Sequence, residues 1–169
     1  MTALVAASVA IVVLASATRA NSDATAPSGA SSEQTYNLSQ PLLGTSSLFD
    51  VSTLQGRPIV INFWASWCPP CNAEAPTLAA AYDKWSAKGV AFVGVDSTDT
   101  AAAGEAFIQK YGWKYPVVED SSGDMQIDWG VEGLPTTFFI DPTGNIIAQY
   151  SGGIDAESLD SYIQKIATS

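Results

Sequence analysis

The stretch that most restricts how this chain can fold is the apolar run from Pro58 to Ala65 (Pro-Ile-Val-Ile-Asn-Phe-Trp-Ala) together with the segment directly after it, Ser66-Trp67-Cys68-Pro69-Pro70-Cys71. A continuous β-branched and aromatic run of this kind is the pattern of a central strand buried on both faces. Proline is well accepted in the first turn of a helix, where its missing N–H costs no intrahelical bond. A strand ending near Ala65 and a helix starting near Pro69 would place Cys68 at a helix N-terminus. Cys68 and Cys71 are the only cysteines in 169 residues, so any redox chemistry passes through them. As a purely structural disulfide the pair would close a loop too short to stabilise much. Zinc would need two more ligands, and the chain has no histidine and no third cysteine. A c-type haem attachment needs histidine where Asn72 stands. A redox-active pair is favoured over a structural one.

With 47% hydrophobic residues the chain has room for one domain with a proper core and little room for two. The net charge is −10, and the seven basic residues are scattered along the chain. Nucleic-acid binding needs a concentrated basic footprint, so nucleic acid is excluded as a partner. The acidic balance serves solubility.

Residues 1–20 read as a signal peptide or membrane anchor. Thr2 to Ala17 is almost wholly apolar or small, with Leu4, Val5, Val9, Ile11, Val12, Val13 and Leu14 as its centre. That length suits a signal-peptide apolar region and is short for a full span, which needs around 20 residues. Ala15-Ser16-Ala17 offers a cleavage site. No Lys or Arg precedes the apolar run, so either translation starts upstream of Met1 or the segment stays uncleaved as an anchor. Residues 21–41, rich in Ser, Thr, Ala, Gln and Asn, form a composition that cannot bury enough surface to fold and read as a flexible linker. An extracytoplasmic place is expected (secreted, periplasmic, or anchored and facing outward), with membrane contact only through an uncleaved N-terminal segment.

The folded domain is expected over residues 42–169. Leu48, Phe49, Val51 and Leu54 suggest a first short strand and turn. After the strand at Pro58–Ala65, Leu78, Ala81, Tyr82 and Trp85 form a helical stripe ended by Gly89. Val90 to Val95 is a second buried strand and Thr100 to Tyr111 a helix. Tyr115 to Val118 reads as a short strand and Met125 to Trp129 as a short helix. Thr136–Ile140 and Ile146–Tyr150 flank the turn-rich Asp141–Asn145, as in an antiparallel hairpin. Leu159, Tyr162, Ile163 and Ile166 mark a final amphipathic helix. This order describes an α/β fold with a mixed central sheet and helices on both faces.

The order of elements, the run around the two cysteines and the segment from Gly133 to Asp141 (Gly-Leu-Pro-Thr-Thr-Phe-Phe-Ile-Asp) resemble the thioredoxin superfamily. Within it the chain is most similar to the membrane-tethered or exported TlpA/ResA-type thiol-disulfide oxidoreductases. The resemblance runs from about Leu42 to Ile166. It implies a thioredoxin-like fold and thiol-disulfide exchange, and no metal or other cofactor is expected.

At a helix start, the dipole and free backbone N–H groups lower a thiol pKa from about 8.5 toward neutrality. Cys68 is therefore expected to be the exposed attacking thiolate, and Cys71, nearly one turn on, the more buried resolving thiol. Neither Pro69 nor Pro70 can donate to the Cys68 sulfur, which leaves the Cys71 N–H as the local donor. Lacking the histidine of the Cys-Pro-His-Cys in the strongly oxidising family member, the couple is expected nearer −270 mV than about −120 mV. From spacing alone Glu74 reads as a surface glutamate early in a helix. The Cys-x-x-Cys-x-x-Glu-x-Pro pattern of Cys68 to Pro76 matches the TlpA/ResA type, which implies that Glu74 tunes the site and exchanges a proton with Cys71. Asn62 stands where thioredoxins proper carry a buried aspartate, which puts weight on Glu74. Pro76 falls inside the helix and should kink it. The resemblance further implies that Pro135 is cis and faces the cysteines, with Leu134 offering backbone groups to an extended substrate and Gly133 giving room. Trp64 and Trp67 both suit a core. Trp67, beside Cys68, is the better candidate for shielding the site. The expected substrate-contacting set is Trp67, Pro69, Pro70, Gly133, Leu134 and Pro135.

These readings converge on an exported, monomeric thiol-disulfide oxidoreductase. Its partners would be exported protein thiols and disulfides and, as the family implies, an upstream membrane thiol-electron carrier. Reduction of disulfides is the favoured direction, with a disulfide-forming oxidase as the alternative. A thiol peroxidase would need Thr and Arg groups at its cysteine, and Arg57, the one arginine of the folded region, precedes the strand. A non-enzymatic binding module or copper chaperone is the remaining class; the latter would want His or Met near the thiols, and only Met1 and Met125 exist.

Overall fold

The computed structural model of the chain describes residues 39–168, so the segment read as signal or anchor and most of the linker lie outside the described residues. Two short strands come first, β1 (Ser39–Pro41) and β2 (Leu48–Asp50), paired antiparallel with Gln40 opposite Phe49. β1 takes up the last three residues of the stretch read as linker. The turn between the strands is closed locally, by Thr45 Oγ1 donating to the Leu42 carbonyl (3.1 Å) and accepting from the Ser47 N–H (3.1 Å). The short strand and turn expected from Leu48, Phe49, Val51 and Leu54 divide at Asp50, whose side chain accepts from the Ser52 N–H (2.8 Å) and starts a 3₁₀ turn, Val51–Leu54. Aspartate favours such turns for this reason.

Five strands form the main sheet: β3 (Ile59–Trp64), β4 (Ala91–Ser97), β5 (Val117–Asp120), β6 (Thr136–Ile140) and β7 (Ile146–Ser151). Their order is β5-β4-β3-β6-β7. β3–β4 and β4–β5 are parallel, whereas β3–β6 and β6–β7 are antiparallel. This is the mixed sheet expected from the order of elements. β3 is central and all its residues are buried, because both edges are paired and both faces are covered.

The strand period of two sends alternate residues to opposite faces. Val60 and Trp64, with Phe92 and Phe139, face three helices: α1 (Pro69–Trp85), α2 (Ala101–Tyr111) and α4 (Ala156–Ala167). Leu78, Phe107, Leu159, Ile163 and Ile166 complete that layer. Ile61 and Phe63, with Val93, Val95 and Phe138, face the other way, where Val51 of the 3₁₀ turn, Val131 and Met125 of α3 (Asp124–Asp128) close the core. Trp64 is the anchor of the first layer, its ring stacked on Phe107 at 4.2 Å and edge-on to Trp113 at 5.1 Å. Burying one large apolar side chain of this kind contributes roughly 1.5–3 kcal/mol.

The helices start and stop where local chemistry dictates. Thr100 and Asp155 cap α2 and α4 by accepting from the Ala103 and Ser158 N–H groups. Gly112 ends α2 at a φ of 67°, in the left-handed region that suits glycine. α1 runs through Pro76, so the Leu78–Trp85 stripe belongs to the helix that begins at Pro69.

Candidate active site

Leaving β3 at Ala65, the chain makes a tight turn in which the Cys68 N–H donates to the Ala65 carbonyl (3.2 Å). Cys68 is then the N-cap of α1, with Pro69 and Pro70 exposed in its first turn. The two sulfurs are bonded (S–S 2.06 Å), and the Cys71 N–H donates to Cys68 Sγ at 3.3 Å, the donor expected from the sequence. The expected exposure of Cys68 is not seen in this disulfide form. Cys68 is 2% exposed and Cys71 1%, because both sit in the apolar cluster with Trp64, Ala65, Ala75 and Ile154. What separates the two sulfurs is their place on the helix: Cys68 lies outside it and accepts an N–H, whereas Cys71 lies within its first turn.

The turn that carries Cys68 is held from several sides. Asn72 Nδ2 donates to the Ser66 carbonyl (2.8 Å) and the Cys68 carbonyl (3.0 Å), while Asn72 Oδ1 accepts from the Tyr111 hydroxyl of α2 (2.9 Å). The Ser66 N–H donates to Asp99 Oδ2 (2.6 Å). Trp67 Nε1 donates to the Thr98 carbonyl (3.2 Å), yet the residue is 60% exposed. Trp64 is the core residue and Trp67 presents its ring to solvent beside Cys68. In the sequence Asn72 served only to exclude haem and Asp99 drew no notice, because the contacts that tie them to other elements, Asp99 to Ser66 and Asn72 to Tyr111, span 33 and 39 residues.

Glu74 is one turn beyond Cys71 and only 4% exposed. Its Oε1 accepts from Asn62 Nδ2 (2.9 Å) and its Oε2 from the Ile154 N–H (2.9 Å). Asn62 Nδ2 also donates to Thr137 Oγ1 (3.0 Å), its cross-strand partner on β6, and Asn62 Oδ1 has no hydrogen-bond partner. Burial pushes the Glu74 carboxyl up from 4.5 to about 7, against the opposing pull of the Ile154 and Asn62 donors. The nearby Tyr115 phenol is held well above its ordinary value by burial, with the Glu74 charge adding to the effect. A buried carboxyl half-ionised near neutral pH, one helical turn from Cys71, can take and return a proton.

Pro135 follows a cis peptide bond from Leu134. Thr136 Oγ1 donates to the Gly133 carbonyl (2.8 Å), and the Gly152 N–H donates to the Pro135 carbonyl (2.8 Å). A Cβ placed on the next residue, Gly153, would meet the Pro70 carbonyl at 3.6 Å. The Gly152–Gly153 step therefore links the Pro135 loop to the first turn of α1, and Ile154, one residue on, reaches Glu74. Leu134 is half-buried against the cluster that contains both cysteines. Among the described residues, no group of three or more His, Cys, Asp or Glu side chains is placed to hold a metal.

A mixed sheet of this order, with a tight turn after its central strand and a disulfide at the start of the following helix, defines a thiol-disulfide oxidoreductase of thioredoxin fold. The chain belongs to the AhpC/TSA family, whose model matches residues 34–149. It is 35% identical to the thiol-disulfide oxidoreductase ResA of Bacillus thuringiensis subsp. konkukian over 117 residues, 69% of this chain and 68% of the relative. Against ResA of Bacillus subtilis the identity is 32%, over 69% of this chain and 65% of the relative. Among solved structures, a secreted Mycobacterium tuberculosis disulfide oxidoreductase homologous to Escherichia coli DsbE superposes with a TM-score of 0.72 at 26% identity, covering 79% of this chain and 98% of that one. StoA of Bacillus subtilis gives 0.61 at 28% identity, covering 72% and 94%.

Proposed function

We propose that this oxidoreductase is exported and works as a disulfide reductase on other exported proteins, with Cys68 attacking, Cys71 resolving and Glu74 exchanging the proton. In the dithiol form the Cys68 thiolate attacks a substrate disulfide, forming a mixed disulfide and releasing one substrate thiolate. Cys71 passes its proton to Glu74, three residues on along the same helix face, and its thiolate attacks Cys68 Sγ. The second substrate thiolate leaves and takes up the proton. Two electrons have moved to the substrate and the protein is left as the Cys68–Cys71 disulfide, so each turnover needs an upstream thiol donor, here a membrane thiol-electron carrier. The exposed Trp67, Pro69, Pro70 and Gly133 are the docking surface, with the half-buried Leu134 and the buried Pro135 behind them, and the protein acts as a monomer.

The observation that carries the direction is the modest support for a Cys68 thiolate: a Cys71 N–H at 3.3 Å, two prolines that cannot donate, and no histidine in the chain. A weakly supported thiolate leaves the reduced form less stable and the couple more reducing. An extracytoplasmic place is supported by the apolar segment at residues 1–20 and by the structural relative described as secreted. No helix among the described residues is long and apolar enough to cross a membrane.

A peroxidase reading is disfavoured by the position of Arg57. Its Nε donates to the Gly89 carbonyl (2.9 Å), at the end of β3 opposite Cys68. Six strand residues at about 3.3 Å each put roughly 20 Å between those ends. To test the proposed direction, the reduced protein is mixed with a disulfide-bonded protein, and the oxidised protein separately with a reduced, unfolded one. Fast reduction in the first mixture and slow oxidation in the second are expected. The reverse order of rates would assign the oxidase role instead.

A further inference from the structure

β4 ends in Asp96-Ser97, and the turn after it reaches back over the loop that carries Cys68. In that turn Thr98 adopts a φ of 54°, uncommon for a residue other than glycine. Its N–H donates to the Asp120 carbonyl (2.9 Å) and its carbonyl accepts from Trp67 Nε1. Asp99 accepts twice from backbone, Oδ2 from Ser66 N–H (2.6 Å) and Oδ1 from Thr100 N–H (2.7 Å). Behind Asp99 lies Asp96, 1% exposed and in register with Trp64 of β3. Helix α2 makes room for it: a Cβ on Gly104 would overlap Asp96 Oδ2. A glycine inside a helix gives up roughly 1 kcal/mol against alanine, so this space is kept at a cost to the helix.

Asp96 Oδ1 is buried without a hydrogen-bond partner, three residues before Asp99 and opposite Glu119 of β5. The charges acting on the carboxyl, from Asp99, which is also the side chain able to pair with it, and from Glu119 and Asp120, are all negative. β3, α2 and the segment before β2 present the uncharged Trp64, Gly104 and Leu43. Asp120 is itself engaged as an acceptor from Ser97 Oγ and from the Met125 and Gln126 N–H groups. Two carboxylates can hydrogen-bond only through a proton. Asp99 is committed as an acceptor to two backbone N–H groups, so the proton belongs to Asp96.

We propose that Asp96 is a positioning residue for the thiol-disulfide reaction: as a neutral acid it donates to Asp99, which holds the Ser66 N–H and with it the turn bearing Trp67 and Cys68. Burial and the three acidic neighbours push Asp96 up to about 8. Below that pH the turn is held. Above it, a second buried negative charge repels Asp99 and the grip on Ser66 loosens.

This role rests on the proposed function only in that Cys68 reacts first. The test compares the full chain with Asp96→Asn, whose side-chain N–H can donate to Asp99 at every pH. The Ser66 amide resonance of the oxidised protein is followed from pH 6 to 9.5, and the rate of the reduced protein with a protein disulfide is measured over the same range. The native Ser66 amide should titrate with a midpoint near 8 and the variant's should stay flat. Native and variant rates should run parallel below pH 7 and diverge above pH 8 by about threefold to tenfold, the worth of one hydrogen bond. A Ser66 amide that does not titrate, one that titrates alike in both proteins, or rates that stay parallel throughout would each overturn the proposal. First alkylation at Cys71 would remove the assigned sulfur roles, while the Ser66 titration would still uphold or overturn the Asp96–Asp99 link.

Discussion

Replacing Glu74 with Gln should make the protein more stable at alkaline pH than the native chain, by an amount that vanishes in acid. A carboxyl moved from 4.5 to about 7 has had its charged form disfavoured by about 3 kcal/mol. The sign depends on which state holds the proton. Below pH 4.5 the group is protonated in folded and unfolded chains alike and contributes nothing. Between 4.5 and about 7 the unfolded chain releases the proton while the folded one keeps it, so stability falls as pH rises. Above 7 the full loss of about 3 kcal/mol is in place. Gln has no charge to bury. Its amide needs an acceptor, which Asn62 can supply, because Oδ1 has no partner and a half-turn of the Asn62 amide would aim it at position 74. Urea unfolding of both oxidised proteins at pH 5, 6, 7 and 8 gives the difference directly. The variant should match the native chain to within about 1 kcal/mol at pH 5 and gain about 2–3 kcal/mol on it by pH 8. A difference independent of pH would refute the buried, raised carboxyl and with it the proton exchange assigned to Glu74.

Three other perturbations probe neighbouring links. Asn62→Ala removes a donor that favours the charged form of Glu74, so the Glu74 midpoint, read by carboxyl carbon NMR, should rise from about 7 by about one pH unit or more. In the reduced protein at neutral pH, Cys68 should alkylate well before Cys71, because the helix N-terminus stabilises its thiolate; peptide masses after brief labelling would show it, and equal labelling would overturn the assigned roles. Trp67→Ala should cost only about 1 kcal/mol of stability, the worth of its Nε1 bond to Thr98. If the exposed ring is a docking anchor, the same change should slow reaction with protein disulfides about tenfold, and reaction with a small disulfide reagent far less.

How much of the fold and site was legible in the sequence depended on how far each signal reaches along the chain. β3 and the start of α1 were readable because an unbroken apolar run and two prolines are local patterns. So was the β6–β7 hairpin, whose connector is built by Asp141 Oδ1 accepting from the Thr143 and Asn145 N–H groups (2.9 Å each). Glu74 looked like a surface residue by spacing because its partners, Asn62 and Ile154, lie 12 and 80 residues away. Only the family pattern marked it as a candidate site residue. The burial of Cys68 was not legible either, since the Ile154 loop and Ala75 that share its cluster are assembled by the fold. Asp96 and Asp99 fall between the strand read to Val95 and the helix read from Thr100, and no local pattern marks them. A buried aspartate announces itself only when the facing helix is seen to carry a glycine against it, as Gly104 does. β1 escaped notice because three residues, one of them Pro41, carry too little pattern to stand apart from the polar stretch before them.

The most direct test of the central claim is the reduction potential of the Cys68–Cys71 couple, measured by equilibrating the protein with thiol–disulfide buffers and quantifying the two forms by mass after alkylation. A weakly supported Cys68 thiolate should give a value nearer −270 mV than about −120 mV, with every 30 mV worth about 1.4 kcal/mol in the two-electron equilibrium. A value close to −120 mV, or cysteines that do not equilibrate with the buffer, would contradict the reductase account.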